Sequence, residues 1–490
     1  MNILGSIRRW SALAPERPMH ISNGKILSYG DLERRSNTLA AHFSAVLPED
    51  HSPVVVIGHK ESELLVAFVA AVKAGHPYIP IDDSLPPERI ATIIARSKAA
   101  ISLTAARVAE ILDSVSPTVS IPEPRRIEPD DPWYIIFTSG STGEPKGVVI
   151  TTACLESFVA WMLNEQHLVD QGEVFLNQAP FSFDLSVMDL YLCLATGGTL
   201  YSITRDEIAN PKQLFISLAH SNMTVWVSTP SFAQLCLNEP TFSSSLLPKL
   251  KKFLFCGEIL PAEVVVCLQQ RFPVAEVWNT YGPTEATCAT TSVQITPSLL
   301  AGYNPLPVGF PQPDSRVLVV DSNGLAVNPP ERGEIVIAGP NVSQGYLGRP
   351  DLTKKAFFQL DGQRAYHTGD WGHFRDGMLF FDGRIDNQIK LHGYRIELGD
   401  IEANLLKLPA VLDAVVVPHF KNGSPDLLAA FIILKEKTAQ TNFETARVLK
   451  RELTGYLPAY MLPRKILFLD KFPMTANGKV DRRKLAESLK

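Results

Sequence analysis

The chain has 490 residues with 45% hydrophobic content, enough for large cores and for about two to four domains or lobes. Its 46 basic and 51 acidic side chains leave a net charge of -5, which excludes the basic footprint that nucleic acid or an anionic membrane surface demands. The longest apolar runs, Leu64 to Val72 and Leu427 to Leu434, fall far short of the ~20 residues a bilayer-crossing helix needs.

Ile3, Ile7 and Trp10 repeat at helical spacing, which predicts a docked amphipathic helix; Arg8 and Arg9 are followed by no apolar h-region, so no secretory leader is expected. Val54 to Ile57, Leu64 to Lys73 and Tyr78 to Ile81 then read as strand, helix and strand. Ser84 to Ser97 reads as a helix with prolines in its first turn, followed by a strand at Ile101 to Leu103. Two short strands, Tyr134 to Phe137 and Val148 to Ile150, bracket a Gly/Ser/Thr loop, and the α/β rhythm returns near Met223 to Val227. From Arg316 to Ala338 strands alternate with turn signals such as Asp321 to Gly324, predicting a β-rich lobe. Beyond Gly383 to Asp386 the pattern resets to runs at Val411 to Val417, Leu427 to Leu434 and Ile466 to Leu469, with a helix near Thr445 to Leu457. The expected fold is α/β: layered subdomains plus a β-rich lobe over residues 1–385, then a small mobile α+β domain over 386–490. Cys154, Cys193, Cys236, Cys256, Cys267 and Cys288 lack CxxC spacing and sit in apolar surroundings, which suits reduced thiols in a cytoplasmic protein without a structural metal.

The loop between those two strands runs Thr138-Ser-Gly-Ser-Thr-Gly-Glu-Pro-Lys-Gly147 and holds three glycines, four hydroxyls and one lysine. Its glycines permit a tight connection whose amides and hydroxyls can face phosphate oxygens. Pro145 stands where a Walker A loop needs its second glycine, and Gly147 follows Lys146, so the kinase or GTPase reading fails on spacing. In Asn279-Thr-Tyr-Gly-Pro-Thr-Glu285, Tyr281 can stack a flat base, Thr284 can reach phosphate and Glu285 supplies a hard oxygen for Mg²⁺; a Gly-Pro turn ending in a surface glutamate explains the same letters. Asp370, in Tyr366-His-Thr-Gly-Asp370, can accept from ribose hydroxyls or close an Asx turn. Gly383 to Glu397 mixes charge with flexible residues at the expected domain junction, and Thr475-Ala-Asn-Gly-Lys479 sets a lysine beyond an Asn-Gly turn near the C-terminus.

These segments and their order resemble the adenylate-forming superfamily of acyl-CoA ligases, luciferases and amino-acid adenylating enzymes, and the resemblance spans essentially the whole chain. Within it the chain is most similar to the branch that activates D-alanine for a carrier protein and for teichoic acid modification. The stretches carrying that likeness are Gly75-His-Pro-Tyr-Ile-Pro80, Phe175 to Ser186, Phe255-Cys-Gly-Glu258 and Leu457 to Pro463. The resemblance implies ATP and Mg²⁺, with Lys479 as the catalytic cation between substrate carboxylate and α-phosphate and Glu285 as the metal ligand. It gives Thr138, Ser139, Gly140, Ser141, Thr142, Gly143, Lys146 and Thr284 to the phosphates, and Gly257, Glu258, Asn279, Thr280, Tyr281, Asp370 and Arg384 to adenine and ribose. Asp184 would pair with the substrate ammonium, although it also stands at the N-cap position of a helix through Leu185 to Leu194. Leu185, Met188, Leu254, Cys256, Thr280, Cys288 and Ala289 would line a side-chain pocket with little room beyond a methyl group. Asp386 would be the hinge and Gly393 would line a thiol tunnel for a phosphopantetheine arm. A monomer is expected, with its carrier on a separate chain. A stand-alone adenylating enzyme for another small amino acid stays open, as do a coenzyme A ligase and a catalytically silent adenylate-binding protein.

Overall fold

The computed structural model describes residues 2–115, 127–140, 143–168, 172–386, 388–391, 393–421, 424–436, 441–474 and 480–489. The chain folds as two compact units. The first comprises Met1–Asp83, Arg96–Phe137 and Gly147–Ile385; the second comprises Ser84–Ala95, Thr138–Lys146 and Asp386–Lys490. The second unit's long stretch begins at Asp386. Its two short pieces, one of them the Gly/Ser/Thr loop, had been expected with the N-terminal domain. Among the described residues no helix is long and apolar enough to cross a membrane.

The first unit opens with the helix Ile3–Leu13, whose Ile3, Ile7 and Trp10 are buried as their spacing predicts. Val54–Ile57, the helix Ser62–Lys73 and Tyr78–Ile81 follow, and the second strand lies parallel to the first in a five-stranded sheet. That sheet continues through Pro132–Thr138 to its neighbour Lys146–Thr151, so the Gly/Ser/Thr loop joins two adjacent strands.

A nine-stranded sheet runs in the order Phe310–Pro311, Thr291–Gln294, Glu276–Tyr281, Lys252–Phe255, Val225–Ser228, Val174–Asn177, Thr199–Ser202, Pro18–Ser22, Lys25–Ser28. Its middle strands are parallel and buried, as expected where helices cover both faces. The helix Leu185–Thr196 is buried at every position, which its nearly uninterrupted apolar sequence dictates. The β-rich lobe is a sheet of Arg316–Val320, Gly333–Ala338, Gln363–Arg375 and Phe357–Leu360, with Met378–Arg384 paired to the long strand.

In the second unit, Val411–Lys421, Ser424–Leu434 and Lys465–Phe468 form a three-stranded sheet beside the helices Leu398–Leu405 and Asn442–Leu453. Thr441 and Glu444 close a capping box at the start of the second helix. The hairpin Gln388–Leu391 and Tyr394–Glu397 precedes them. Arg89 makes a buried ion pair with Asp400 at 3.0 Å, joining residues 311 apart in sequence within this unit.

Candidate active site

Strand periodicity divides the predicted site residues of the first unit into two groups. Successive residues of Glu276–Tyr281 face opposite sides of the sheet. Trp278 packs in the main core with Leu185, Met188, Leu254, Cys256, Cys288 and Ala289, whereas Tyr281 packs in the core of the β-rich lobe with Tyr366 and Leu379. Thr280, on the Trp278 side of the strand, donates to the Phe255 carbonyl at 2.8 Å. Asn279, on the other side, donates to the Pro307 carbonyl at 2.8 Å.

On the lobe side, Asp370 and Arg384 are direct partners across two antiparallel strands. The Arg384 guanidinium donates to one Asp370 oxygen at 2.5 Å and the Tyr281 hydroxyl donates to the other at 2.5 Å. Burial, and then the adjacent carboxylate, push the Tyr281 phenol up, so it remains a donor. Asp370 is also fixed through its backbone, its N–H donating to Thr368 Oγ1 at 3.0 Å. The result is a rigid acidic group whose geometry is set before any ligand arrives, as hydroxyl recognition requires. The Tyr281 ring, expected to stack on a base, is buried among lobe residues with its hydroxyl committed to Asp370.

Glu285 lies in a single 3₁₀ turn, Thr284–Ala286, and is fully buried. Tyr346 donates to its Oε1 at 2.8 Å. Asn341 donates to the Ala286 carbonyl at 3.0 Å and to Thr290 Oγ1 at 2.9 Å, while its own backbone carbonyl accepts from Thr287 Oγ1 at 2.7 Å. These bonds hold Thr287 and Cys288 in consecutive left-handed conformations, φ +57° and +69°, which cost energy for non-glycine residues. Asn341 and Tyr346 were not among the sequence-predicted residues. They lie more than 50 positions from the turn they pin, in a stretch with Gly339, Pro340, Gly345 and Gly348 whose sequence carries no sign of that contact. Glu258, predicted to meet the nucleotide, accepts from the Ser231 N–H at 3.0 Å, at the start of the helix Pro230–Leu237; Gly257 beside it has φ +92°.

On the opposite side, Leu185, Met188, Leu254, Cys256, Thr280, Cys288 and Ala289 are all buried. Asp184 does occupy the N-cap position, but its side chain makes no capping bond and its backbone is already helical (φ -65°, ψ -20°). The turn is tied instead by Ser186 Oγ, which donates to the Phe183 carbonyl at 2.7 Å. Cys256 Sγ donates to the Cys288 carbonyl at 3.6 Å. The Cys256 thiol beside it, and then burial, push the Cys288 thiol up, so Cys288 remains protonated.

In the second unit the loop is shaped by its glycines. A Cβ on Gly140 would stand 2.2 Å from the Glu144 carbonyl oxygen, and Gly143 has φ +80°. Ser139 Oγ donates to the Arg395 carbonyl at 3.0 Å and accepts from the Glu397 N–H at 3.2 Å, within the same unit. Among the described residues the Thr138 hydroxyl, buried in the segment expected to meet phosphate, has no hydrogen-bond partner. Lys146 begins the strand that leaves the loop. Gly393 sits at the hairpin turn with φ +84°, and Asp386 Oδ1 accepts from the Gln388 N–H at 3.1 Å. Ser141, Thr142 and Lys479 lie outside the described residues.

The fold is shared with solved structures. The Vibrio cholerae adenylation domain AlmE, crystallised with glycyl-adenosine-5'-phosphate, superposes with a TM-score of 0.84 at 22% identity, covering 100% of this chain and 98% of that one. The o-succinylbenzoate CoA synthetase of Bacillus subtilis gives 0.85 at 20% identity, with 98% of each chain covered. These likenesses show the fold, a large N-terminal part followed by a smaller C-terminal one. Residues 7–347 match the AMP-binding enzyme family and residues 400–479 match the AMP-binding enzyme C-terminal domain. The chain belongs to the AMP-binding enzyme family and is an ATP-dependent, AMP-forming ligase. Among similar curated proteins, one from Bacillus cytotoxicus named D-alanine--D-alanyl carrier protein ligase is 47% identical over 500 residues, 99% of each chain. One of the same name from Bacillus licheniformis is 46% identical over 503 residues, 100% of each chain.

Proposed function

We propose that the protein activates D-alanine as D-alanyl-AMP and transfers the alanyl group to the phosphopantetheine thiol of a separate carrier protein, for D-alanylation of teichoic acids. The observation that carries this reading is the burial of every residue expected to line the substrate site, a set rich in sulfur and branched side chains, together with an aspartate, Asp184, whose side chain does not serve as a helix cap. A small side chain and an ammonium group suit that lining, and full-length similarity to enzymes named for D-alanine supports the same substrate. Preference for the D over the L enantiomer rests on that similarity and not on pocket volume. The action is assigned to the cytoplasm, where ATP and carrier are available, and to a monomer.

In this reading the alanine carboxylate attacks the ATP α-phosphorus in line. Asp184 pairs with the ammonium, Asp370 holds the ribose hydroxyls, and the loop of Thr138, Ser139, Ser141, Thr142 and Lys146, with Thr284, receives the triphosphate. Lys479 supplies the preorganised cation where charge accumulates. Among the described residues no cluster of three metal-ligand side chains is found; a single buried carboxylate, Glu285, completed by phosphate oxygens, is a donor set that suits Mg²⁺. That ion would neutralise charge on the departing pyrophosphate. For thioester formation Lys479 leaves, the backbone turns at Asp386, and Gly393 lines the path of the thiol.

The test is ATP-pyrophosphate exchange over D-Ala, L-Ala, Gly, Ser and Pro. D-Ala is expected to give the highest kcat/KM, and Lys479→Ala is expected to lower exchange ~10²- to 10³-fold while ATP still binds. Faster exchange with another amino acid overturns the substrate, and normal exchange by the variant overturns the role of the lysine.

A further inference from the structure

Three buried tyrosines meet in the main core of the first unit. Tyr78 and Tyr134 are register partners on parallel strands, and Tyr191 lies on the helix that begins after Asp184. The Tyr134 ring stacks on Tyr191 at 6.5 Å and 17° and tilts against Tyr78 at 5.9 Å. Two of the three hydroxyls satisfy each other, Tyr78 and Tyr191 lying 2.6 Å apart, and Trp133 Nε1 donates to the Tyr191 oxygen at 2.7 Å. The Tyr134 hydroxyl is different. Tyr134 is 0% exposed and, among the described residues, its oxygen has no hydrogen-bond partner.

A buried hydroxyl without a partner is costly, and native structures retain such a group where a ligand or ordered water completes it. The surroundings indicate which ligand. Tyr134 belongs to the same packed cluster as Leu185, Met188, Cys256 and Cys288. Burial, then the Asp184 carboxylate and the Cys288 thiol, push its phenol well up, so it stays a neutral O–H. Such a group has one proton to donate and two lone pairs to accept with. We infer that Tyr134 is a further substrate-binding residue, its O–H directed to Asp184 and its oxygen accepting one N–H of the substrate ammonium. The inference rests on the amino-acid-activating reading of the same pocket. It adds that the ammonium is held by two residues from different layers, a strand of the five-stranded sheet and the start of a helix.

The test is Tyr134→Phe, which keeps the stacked ring and removes only the orphaned oxygen. In pyrophosphate exchange the KM for the amino acid is expected to rise about tenfold or more, as for loss of a hydrogen bond to a charged group. The KM for ATP should stay within about twofold of wild type, and the melting temperature should hold or rise because no buried oxygen is left unpaired. A wild-type amino-acid KM in the variant overturns the inference, and so does a lowered melting temperature with that KM unchanged. Either result leaves the amino-acid-activating reading standing, because that reading depends on wild-type exchange across the substrate panel.

Discussion

Two of the buried charge clusters in the first unit are built in opposite ways. Around Asp370 both carboxylate oxygens are taken, one by the Arg384 guanidinium and one by the Tyr281 hydroxyl, each at 2.5 Å. Around Asp189 the partners are incomplete. Asn177 donates to Oδ1 at 3.0 Å, and Oδ2 has no hydrogen-bond partner. The nearby Lys60 ammonium donates to Asn177 Oδ1 and the Ala179 carbonyl rather than to a carboxylate. Burial draws Lys60 down to about 7 against the pull of Asp189 and Asp82, and pushes Asp189 up. Asp370 is thus a fully partnered carboxylate at a strand pair, proposed to meet the ribose. A cluster in which burial dominates is a brace, here tying the helix that carries Met188 to the neighbouring strands.

The brace should be the more damaging to stability. Removing one member of a buried charged cluster typically costs ~3–5 kcal/mol because its partners are stranded. Lys60→Met is expected to lower the unfolding free energy by that order in urea denaturation, while the folded variant retains kcat/KM within about threefold. A loss of catalysis without a loss of stability would reverse the comparison. Asp370→Asn should behave the other way. It keeps the shape but removes the charge, and if Asp370 holds ribose hydroxyls, kcat/KM for ATP should fall ~10²-fold, as for loss of charge-assisted hydrogen bonds. A change under about threefold would place the ribose elsewhere.

The sequence made the scaffold and one half of the site readable. Ile3, Ile7 and Trp10 are buried at the spacing that predicted their helix, and the strands at Val54–Ile57 and Tyr78–Ile81 have the predicted ends, because burial on one face or on both leaves a period in the chain. The pocket residues could be named only by resemblance, since nothing periodic links Met188 to Cys288. Three features had no local trace. Asn341 fixes the Glu285 turn across more than 50 residues, Arg89 pairs with Asp400 across 311, and the turn at Asp184 is closed by Ser186 rather than by the aspartate itself. Alternation along Glu276–Tyr281 does carry information that was overlooked. It separates Thr280, on the pocket side with Trp278, from Tyr281, which serves Asp370.

The smallest effect sharpens the comparison at its edge. His20 extends the brace, one ring nitrogen lying 2.8 Å from Ser62 Oγ and the other 2.9 Å from Ser202 Oγ, which donates to Asn177 Oδ1 at 2.7 Å. Burial, and then the Lys60 charge, lower this imidazole to about 3 from its ordinary 6.5. Between those values the unfolded chain binds the proton more readily than the folded one, so the contribution of His20 is complete above pH 6.5 and is lost as pH falls toward 3. At pH 5 the loss from this group should be about 2 kcal/mol. His20→Gln preserves a donor and an acceptor without a titrating ring, so its unfolding free energy should drop less than that of wild type between pH 7 and pH 5, by about that amount. Parallel pH profiles for the two proteins would mean that the imidazole can ionise in place, and that the cluster around Asp189 is better solvated than its bonding indicates.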